Sequence, residues 1–350
     1  MIIFNNNDFK YKNWSKALAE VGCETITNKK IYPYILVLLF QHIIKGKTIN
    51  AYVFRYLNDR KSFFKTLINF LTDIFIILIC KLKKIKIIWI AHNLNKESQV
   101  YHKLLNFLRR RVIILFSNKI LVTDPLLINF IEENNLDKKK IDWLCFGKPI
   151  KQKINLKNEN LLKKIINYKN SLKKEFKNDN LILGLCVTSS LPKFYHFLYL
   201  NKLINNLNKY SNKQFSLILI GKFPKGKKFS LEKDKIKNNK NILHLDENFN
   251  VNEDYIKSEI DFIYRSVNDF SVSFSVYVSA FIGKPIITDN IGFLPYMIKK
   301  YKLGYIIPEN KNNFKSFAEK IKNWDSTYAQ LFLSKRSWKI AAKKLISISS

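Results

Sequence analysis

Six near-continuous apolar runs in the second half of the chain, with helical patterns filling the gaps, limit its possible folds more than any other feature. They cover residues 181–187, 215–220, 242–245, 260–264, 286–288 and 305–307. A strand buried on one face alternates apolar and polar residues. A strand apolar throughout is covered on both faces, and that points to a parallel sheet between layers of helices. The fourth and fifth runs show the unit in full. Residues 260–264 lead into a polar loop with Asn268, Asp269, Ser271 and Ser273, then an apolar helix to Ile282, then Gly283-Lys284-Pro285, the strand at 286–288 and a turn at Gly292. This order makes a parallel βαβ unit, and open parallel sheets take their ligands at the carboxyl ends of their strands. A ligand site is expected there.

The first half alternates in the same way. Strand patterns cover 1–4, 47–54, 85–91 and 119–122, with helical patterns at 13–21, 61–83 and about 98–116. Asp124 is placed to cap a further helix that starts on Pro125. A lysine-rich stretch at 136–180, with Gly147, Pro149 and a charged helix from about Glu159 to Phe176, reads as inter-domain. The predicted class is therefore α/β: two Rossmann-like domains with parallel sheets, facing each other across a cleft. Residues 1–150 form the first, 151–180 a linker with a helix, 181–325 the second, and 326–350 a helix crossing back to the first. A chain of 350 residues is long enough for two such domains.

A net charge of +34 suggests an anionic partner: a membrane surface, a phosphorylated substrate or a nucleic acid. Lys, Asn and Ile crowd the whole chain, however, and the codon bias of a genome rich in A and T would produce the same excess. Cys23, Cys80, Cys145 and Cys186 lie far apart beside apolar residues, as expected of buried free thiols in a reducing compartment. The start of the chain lacks the cationic and long apolar regions of a signal peptide. The apolar runs at 31–44 and 66–80 are interrupted by Pro33, Gln41 and His42, and by Asn69 and Asp73. Both are expected to fall short of the roughly 20 apolar residues of a spanning helix. In the helix at 61–83, Lys61, Lys65, Asn69 and Asp73 recur every four residues as one polar stripe on an apolar cylinder. Such a helix is either buried or has one face on lipid, and burial is expected of a crossover helix beside a parallel sheet.

Glycine is scarce, nine in 350 residues, where average usage would give about 25. No GxGxxG or GxxxxGK[ST] phosphate cradle is present, nor an HExxH metal pair or a GxSxG nucleophile turn. Gly221 directly follows a strand (LILIGK), where the lack of a Cβ lets a ligand approach the backbone. His92 is the leading single residue. It ends an apolar strand at the crevice such a fold creates, with Asn93 and Glu97 close by, and is placed to act as a base or hold a substrate hydroxyl. His42, His102, His196 and His244 are less well placed.

Two segments, KIIWIAHNLNKE and DFIYRSVNDFSVSFSVYVSAFIGKPIITDNIGFLPYMI, resemble bacterial GT-B glycosyltransferases similar to family 4. The match follows most of the chain in order of elements and is specific in these two segments. The resemblance implies a nucleoside diphosphate sugar bound to the second domain and a saccharide or lipid-linked acceptor on the first. It implies no cofactor beyond that substrate and no catalytic metal. His92 would be catalytic, with Asn93 and Glu97 on the acceptor. Lys193, Lys222 and Arg265 are candidates to neutralise the diphosphate, and Gly221, Asp269, Ser271, Ser273 and Ser279 complete the donor set. One departure stands out. Where many members carry two glutamates eight positions apart, this chain has Ser271 and Ser279, which leaves the mechanism open. The expected activity is hexosyl transfer in surface-polysaccharide assembly, in the cytoplasm, with a peripheral contact to anionic membrane through the first domain's basic helix 101–111 and the helix at 61–83. A nucleotide-sugar epimerase or a non-catalytic GT-B subunit would share the donor site. A basic nucleic-acid-binding protein is disfavoured, since no aromatic-basic motif is present.

Overall fold

In the computed structural model the described residues are 1–28, 32–94, 97, 100–131, 136–149, 156–176, 180–187, 197–222, 227–246 and 256–350. They form two six-stranded sheets in which every pairing is parallel. In chain order the first runs β1 (Ile2–Phe4), α1 (Phe9–Glu20), β2 (Thr25–Thr27), α2 (Tyr34–Ile44), β3 (Ala51–Phe54), α3 (Phe63–Leu82), β4 (Lys86–Ala91), α4 (Lys103–Phe116), β5 (Lys119–Val122) and β6 (Ile141–Trp143). Its strand order is β2-β1-β3-β4-β5-β6, so the winding reverses between β1 and β3.

The second begins with α5 (Leu156–Glu175) and continues through β7 (Leu181–Val187), α6 (Phe197–Tyr210), β8 (Gln214–Ile220), α7 (Lys227–Lys237) and β9 (Ile242–Leu245). It then runs β10 (Phe262–Tyr264), α8 (Phe274–Ile282), β11 (Ile286–Thr288), α9 (Leu294–Tyr301) and β12 (Gly304–Ile306). The helices α10 (Phe314–Lys322), α11 (Thr327–Ser334) and α12 (Trp338–Ser349) follow. Here the order is β12-β11-β10-β7-β8-β9, with the reversal between β7 and β10. By contacts the chain divides into Met1–Gly147 with Asp269–Val272 and Arg336–Ser350, and Lys148–Asn268 with Ser273–Lys335.

The continuous apolar runs of the second half all became strands, with shifts of one or two residues at their ends. Their cover includes Leu200, Ile204 and Leu207 of α6 and Phe314, Phe317 and Ile321 of α10, all buried on the β7–β8–β10 face. Three elements of the first unit had no such signal. β2 and β6 are edge strands of three half-buried residues each, too short for an apolar run to stand out. β6 also lies inside the stretch 136–180 that reads as inter-domain, and α2 inside the apolar run 31–44. The basic helix starts later than expected, at Lys103.

α3 departs from expectation in two ways. Its 20 residues are long and apolar enough to cross a membrane by length and composition alone, contrary to the reading of 66–80 as too broken. Of its polar stripe, Lys61 and Lys65 are exposed, while Asn69 and Asp73 face the protein. Thr66, Asn69, Thr72 and Asp73 are buried, and Phe64, Ile68, Leu71 and Phe75 are exposed. The reason is a buried ion pair: Arg109 of α4 donates from Nε to Asp73, whose other oxygen accepts the Tyr32 hydroxyl. Burial opposes the Arg109 charge, but the adjoining Asp73 carboxylate holds the guanidinium above its usual pKa.

The C-terminal segment completes the first unit. Arg336 pairs with the buried Asp124 at 3.0 Å, and Trp338 packs edge-on to Trp14 at 5.7 Å. The four thiols are free, and burial pushes Cys80 up to about 12. In the second unit β12 approaches β11 so closely that a Cβ on Gly304, at φ +154°, would lie 2.0 Å from the Ile286 carbonyl oxygen.

Removing one partner of a buried ion pair strands the other charge, at about 3–5 kcal/mol. Asp73→Ala is therefore expected to lower unfolding stability by that amount, read from urea midpoints. The effect should shrink in Asp73→Ala with Arg109→Met, where no buried charge is left alone.

Candidate functional site

Strands of a parallel sheet point their carboxyl ends the same way, and the gap where the winding reverses leaves room for a ligand. In the first unit that gap lies between β1 and β3, and the residues just past the strand ends are Asn5, Arg55 and, after β4, His92. Asp8 closes the group. It caps α1 by accepting the Tyr11 N–H at 2.8 Å and binds the Arg55 guanidinium at 2.6 and 3.1 Å. Arg55 has no exposed surface; its guanidinium carbon lies 4.9 Å from the Trp14 ring and 5.1 Å from that of Tyr56. The backbone N–H of Arg55 is held by the Asn5 side chain at 3.0 Å.

His92 stands inside this group. Its ring stacks on Tyr56 at 4.2 Å and 14°, with Phe146 at 6.0 Å and 16°. Arg55 Nε approaches His92 Nε2 at 3.3 Å. A guanidinium can only donate, so Nε2 is the acceptor and the ring proton sits on Nδ1. In this arrangement Nε2 is engaged by Arg55, which holds the His92 ring in one tautomer. Asp8 carries the cluster's charge toward solvent, its side chain 34% exposed.

Asn93 and Glu97 are organised by Arg110. The guanidinium donates to the Asn93 carbonyl at 3.3 Å, to the Leu94 carbonyl and to Glu97 Oε1 at 3.2 Å, while resting 4.8 Å from the Trp89 ring. Glu97 Oε2 accepts the Leu57 N–H at 3.2 Å. Burial raises the Glu97 carboxyl above its usual value, against the pull of Arg110. Asp269 and Ser271, expected on the donor side, are grouped with the first unit. Ser271 forms an antiparallel bridge with Asn93 and donates to Asp269 Oδ1 at 2.6 Å. The Leu94 N–H donates to the Phe270 carbonyl at 3.2 Å.

In the second unit the strand ends beside β7 carry the remaining candidates. Arg265 follows β10 and donates to the Val187 carbonyl at the end of β7, at 3.1 Å, so it spans the point of reversal. Gly221 follows β8 with φ +146°, and its carbonyl lies 3.0 Å from the His244 ring nitrogen. Lys222 is exposed. Next to Arg265, Tyr264 donates to Asp289 at 2.9 Å. The structure thus brings Gly221, Lys222 and Arg265 to one edge of the sheet, on either side of β7. Ser273 is the N-cap residue of α8. Ser279 is 1% exposed, and its hydroxyl donates to the Lys284 carbonyl at the helix end. Ser271 and Ser279 thus each make a local hydrogen bond. Lys193 lies outside the described residues. Among the described residues no group of three or more His, Cys, Asp or Glu is placed to hold a metal ion.

No protein-family model matches the sequence, and neither does any curated protein. Solved structures do match, along the whole length. HepE of Anabaena, in a complex with UDP and glucose, is 12% identical over 99% of this chain and 98% of that one, with a TM-score of 0.60. WaaG, a glycosyltransferase involved in lipopolysaccharide biosynthesis, is 12% identical over 100% of both chains, at 0.60. The sucrose-phosphate synthase of Thermosynechococcus elongatus is 11% identical over 99% and 97%, at 0.63. The fold is GT-B. Two parallel six-stranded sheets, each with its own point of reversal, give the GT-B chain two separate strand-end sites.

Arg55 and Asp8 belong to the first of these and were not singled out from the sequence. Arg55 carries the signal that marked His92, a polar residue directly after an apolar strand. Asp8 carries that of a helix cap. Their pairing across 47 residues had no local trace.

Burial alone would raise the Asp8 carboxyl, but the Arg55 charge and its hydrogen bonds, with the Tyr11 N–H, hold it below its usual value. Such a group stabilises the fold above its unfolded pKa of about 3.9 and loses that contribution as pH falls through the folded value. Asp8→Asn is expected to lower the thermal midpoint at neutral pH and to flatten its fall below about pH 4, followed by circular dichroism. Parallel acid slopes for the two proteins would assign the acid sensitivity to other carboxylates.

Proposed function

We propose that this chain is a glycosyltransferase that moves a sugar from a nucleoside diphosphate donor, held on the second unit, to a saccharide or lipid-linked saccharide acceptor on the first. The observation that carries it is the cationic strand-end group Gly221, Lys222 and Arg265 at the β7–β10 reversal of a GT-B fold. Full-length matches bound to UDP and glucose, or to UDP-glucose, support a uridine diphosphate donor. Positive charge at that edge would stabilise the leaving diphosphate as its charge develops. His92, with its proton on Nδ1, would work at the acceptor hydroxyl or the transferring sugar. Likeness to WaaG supports an acceptor in surface-polysaccharide assembly, and free thiols, three of them buried and Cys23 half-buried, suit a cytoplasmic enzyme.

One observation favours a second reading, a nucleotide-binding subunit without turnover. Ser271 and Ser279, at the positions of two glutamates in the enzymes the chain resembles, are turned to local hydrogen bonds.

A thermal-shift screen against nucleoside diphosphates and their sugars separates these. A ligand at 100 times its Kd stabilises by about 2.7 kcal/mol, and we expect UDP or a UDP-sugar to do so. Arg265→Ala should remove the shift. His92→Ala should keep it and lose transfer to a saccharide acceptor. Full activity of His92→Ala would remove its catalytic role; a shift with no transfer by the native chain would favour the subunit, and no shift at all would end the donor assignment.

A further inference from the structure

Three neighbouring helices of the first unit present apolar faces to solvent. On α3 the exposed residues Phe64, Ile68, Leu71, Phe75, Leu78 and Leu82 recur at alternating steps of four and three, one continuous stripe along the 20-residue helix. Phe40 and Ile44 of α2, and Leu104, Phe107 and Leu115 of α4, extend it on the adjoining helices. A soluble surface rarely leaves so many large apolar side chains together, and such a patch marks a docking site.

The charge pattern says what covers it. Across α2, α3 and α4 the only carboxylate is Asp73, and it is buried against Arg109. Every exposed charge on these helices is positive, Lys65 and Lys81 on α3 and Lys103 and Arg111 on α4, and so are Arg60 and Lys61 just before α3. Two of these cations lie over aromatic rings of the same face, Arg111 at 5.1 Å from Phe107 and Lys81 at 6.0 Å from Phe116. An apolar face set among cations, with no exposed acid, complements an anionic lipid surface and repels a basic protein such as a second copy of this chain. α3 cannot leave the sheet to cross a bilayer without stripping Asp73 from Arg109 and Tyr32, and Thr66 from Arg60. The expected basic face does change. Of the three consecutive arginines, Arg109 is buried and Arg110 is bound to Glu97, so only Arg111 is exposed.

We propose that the α2–α3–α4 face seats the first unit on an anionic bilayer. α3 lies in the plane of the membrane, with its phenylalanines and leucines at the acyl boundary and the surrounding lysines and arginines at the level of the phosphates. The proposal goes beyond the transferase reading and does not rest on it, since lipid binding is read with no donor present.

The test is flotation of the full chain with phosphatidylcholine vesicles, with and without phosphatidylglycerol, at low and high salt. We expect binding that needs phosphatidylglycerol and weakens with salt. Leu71→Glu with Phe75→Glu, both on the exposed stripe, should weaken it about tenfold or more with an unchanged thermal midpoint. Lys65→Glu with Lys81→Glu should weaken it at low salt only. Absent binding by the native chain, or binding undiminished in the Leu71→Glu, Phe75→Glu protein, would overturn the proposal. So would a dimer in sedimentation velocity that the same pair dissociates while lipid binding stays absent.

Discussion

The Asp73–Arg109 pair sets the orientation of everything around it in the first unit. A carboxylate and a guanidinium out of water are tolerated only when each satisfies the other and the remaining donors find partners. Those donors go to the carbonyls of Leu57 and Asn58, at 3.4 and 3.2 Å. Asn106 adds a bond to the Leu57 carbonyl at 2.8 Å, and the Asp59 carboxylate accepts the N–H groups of Tyr101 and His102 at the start of α4. The chain leaving β3 is thus fixed residue by residue to α4. That segment begins with Arg55 and Tyr56, the pair that positions His92. The ion pair that turns α3 over is also the one that anchors the floor of the candidate site.

How much of this was legible in the sequence depended on whether the signal was local. The second unit was largely legible because strands buried on both faces must be apolar throughout, and that pattern survives a lysine-rich composition. Helix α3 was legible as an amphipathic cylinder and illegible as to which side is inside. Periodicity gives two faces, and the usual assumption that the apolar one is buried fails when a partner such as Arg109, 36 residues away, claims the polar one. His92 was visible by its place after a strand. Its tautomer was not, because that depends on Arg55 from the adjacent strand.

The same distinction explains the donor-side residues. Gly221, Lys222 and Arg265 each follow a strand, so sheet topology alone collects them at one edge. Ser271 and Ser279 are eight positions apart, one bridged to Asn93 just before α8 begins and the other closing the end of α8, and neither contact can be read from the spacing. Sequence spacing measures proximity along a helix well and across a loop poorly.

The last fifteen residues carry a consequence for how the first unit is completed. Arg336 neutralises the buried Asp124, and Trp338 lies so close to Gly147 that no side chain fits between them. Residues 1–147 by themselves lack these partners, which leaves Asp124 without its guanidinium and the Trp14 cluster open where Trp338 packs. The second sheet has all its strands by Ile306 and is covered by α10, which follows at once. The first unit is therefore complete only when residues 336–350 have joined it.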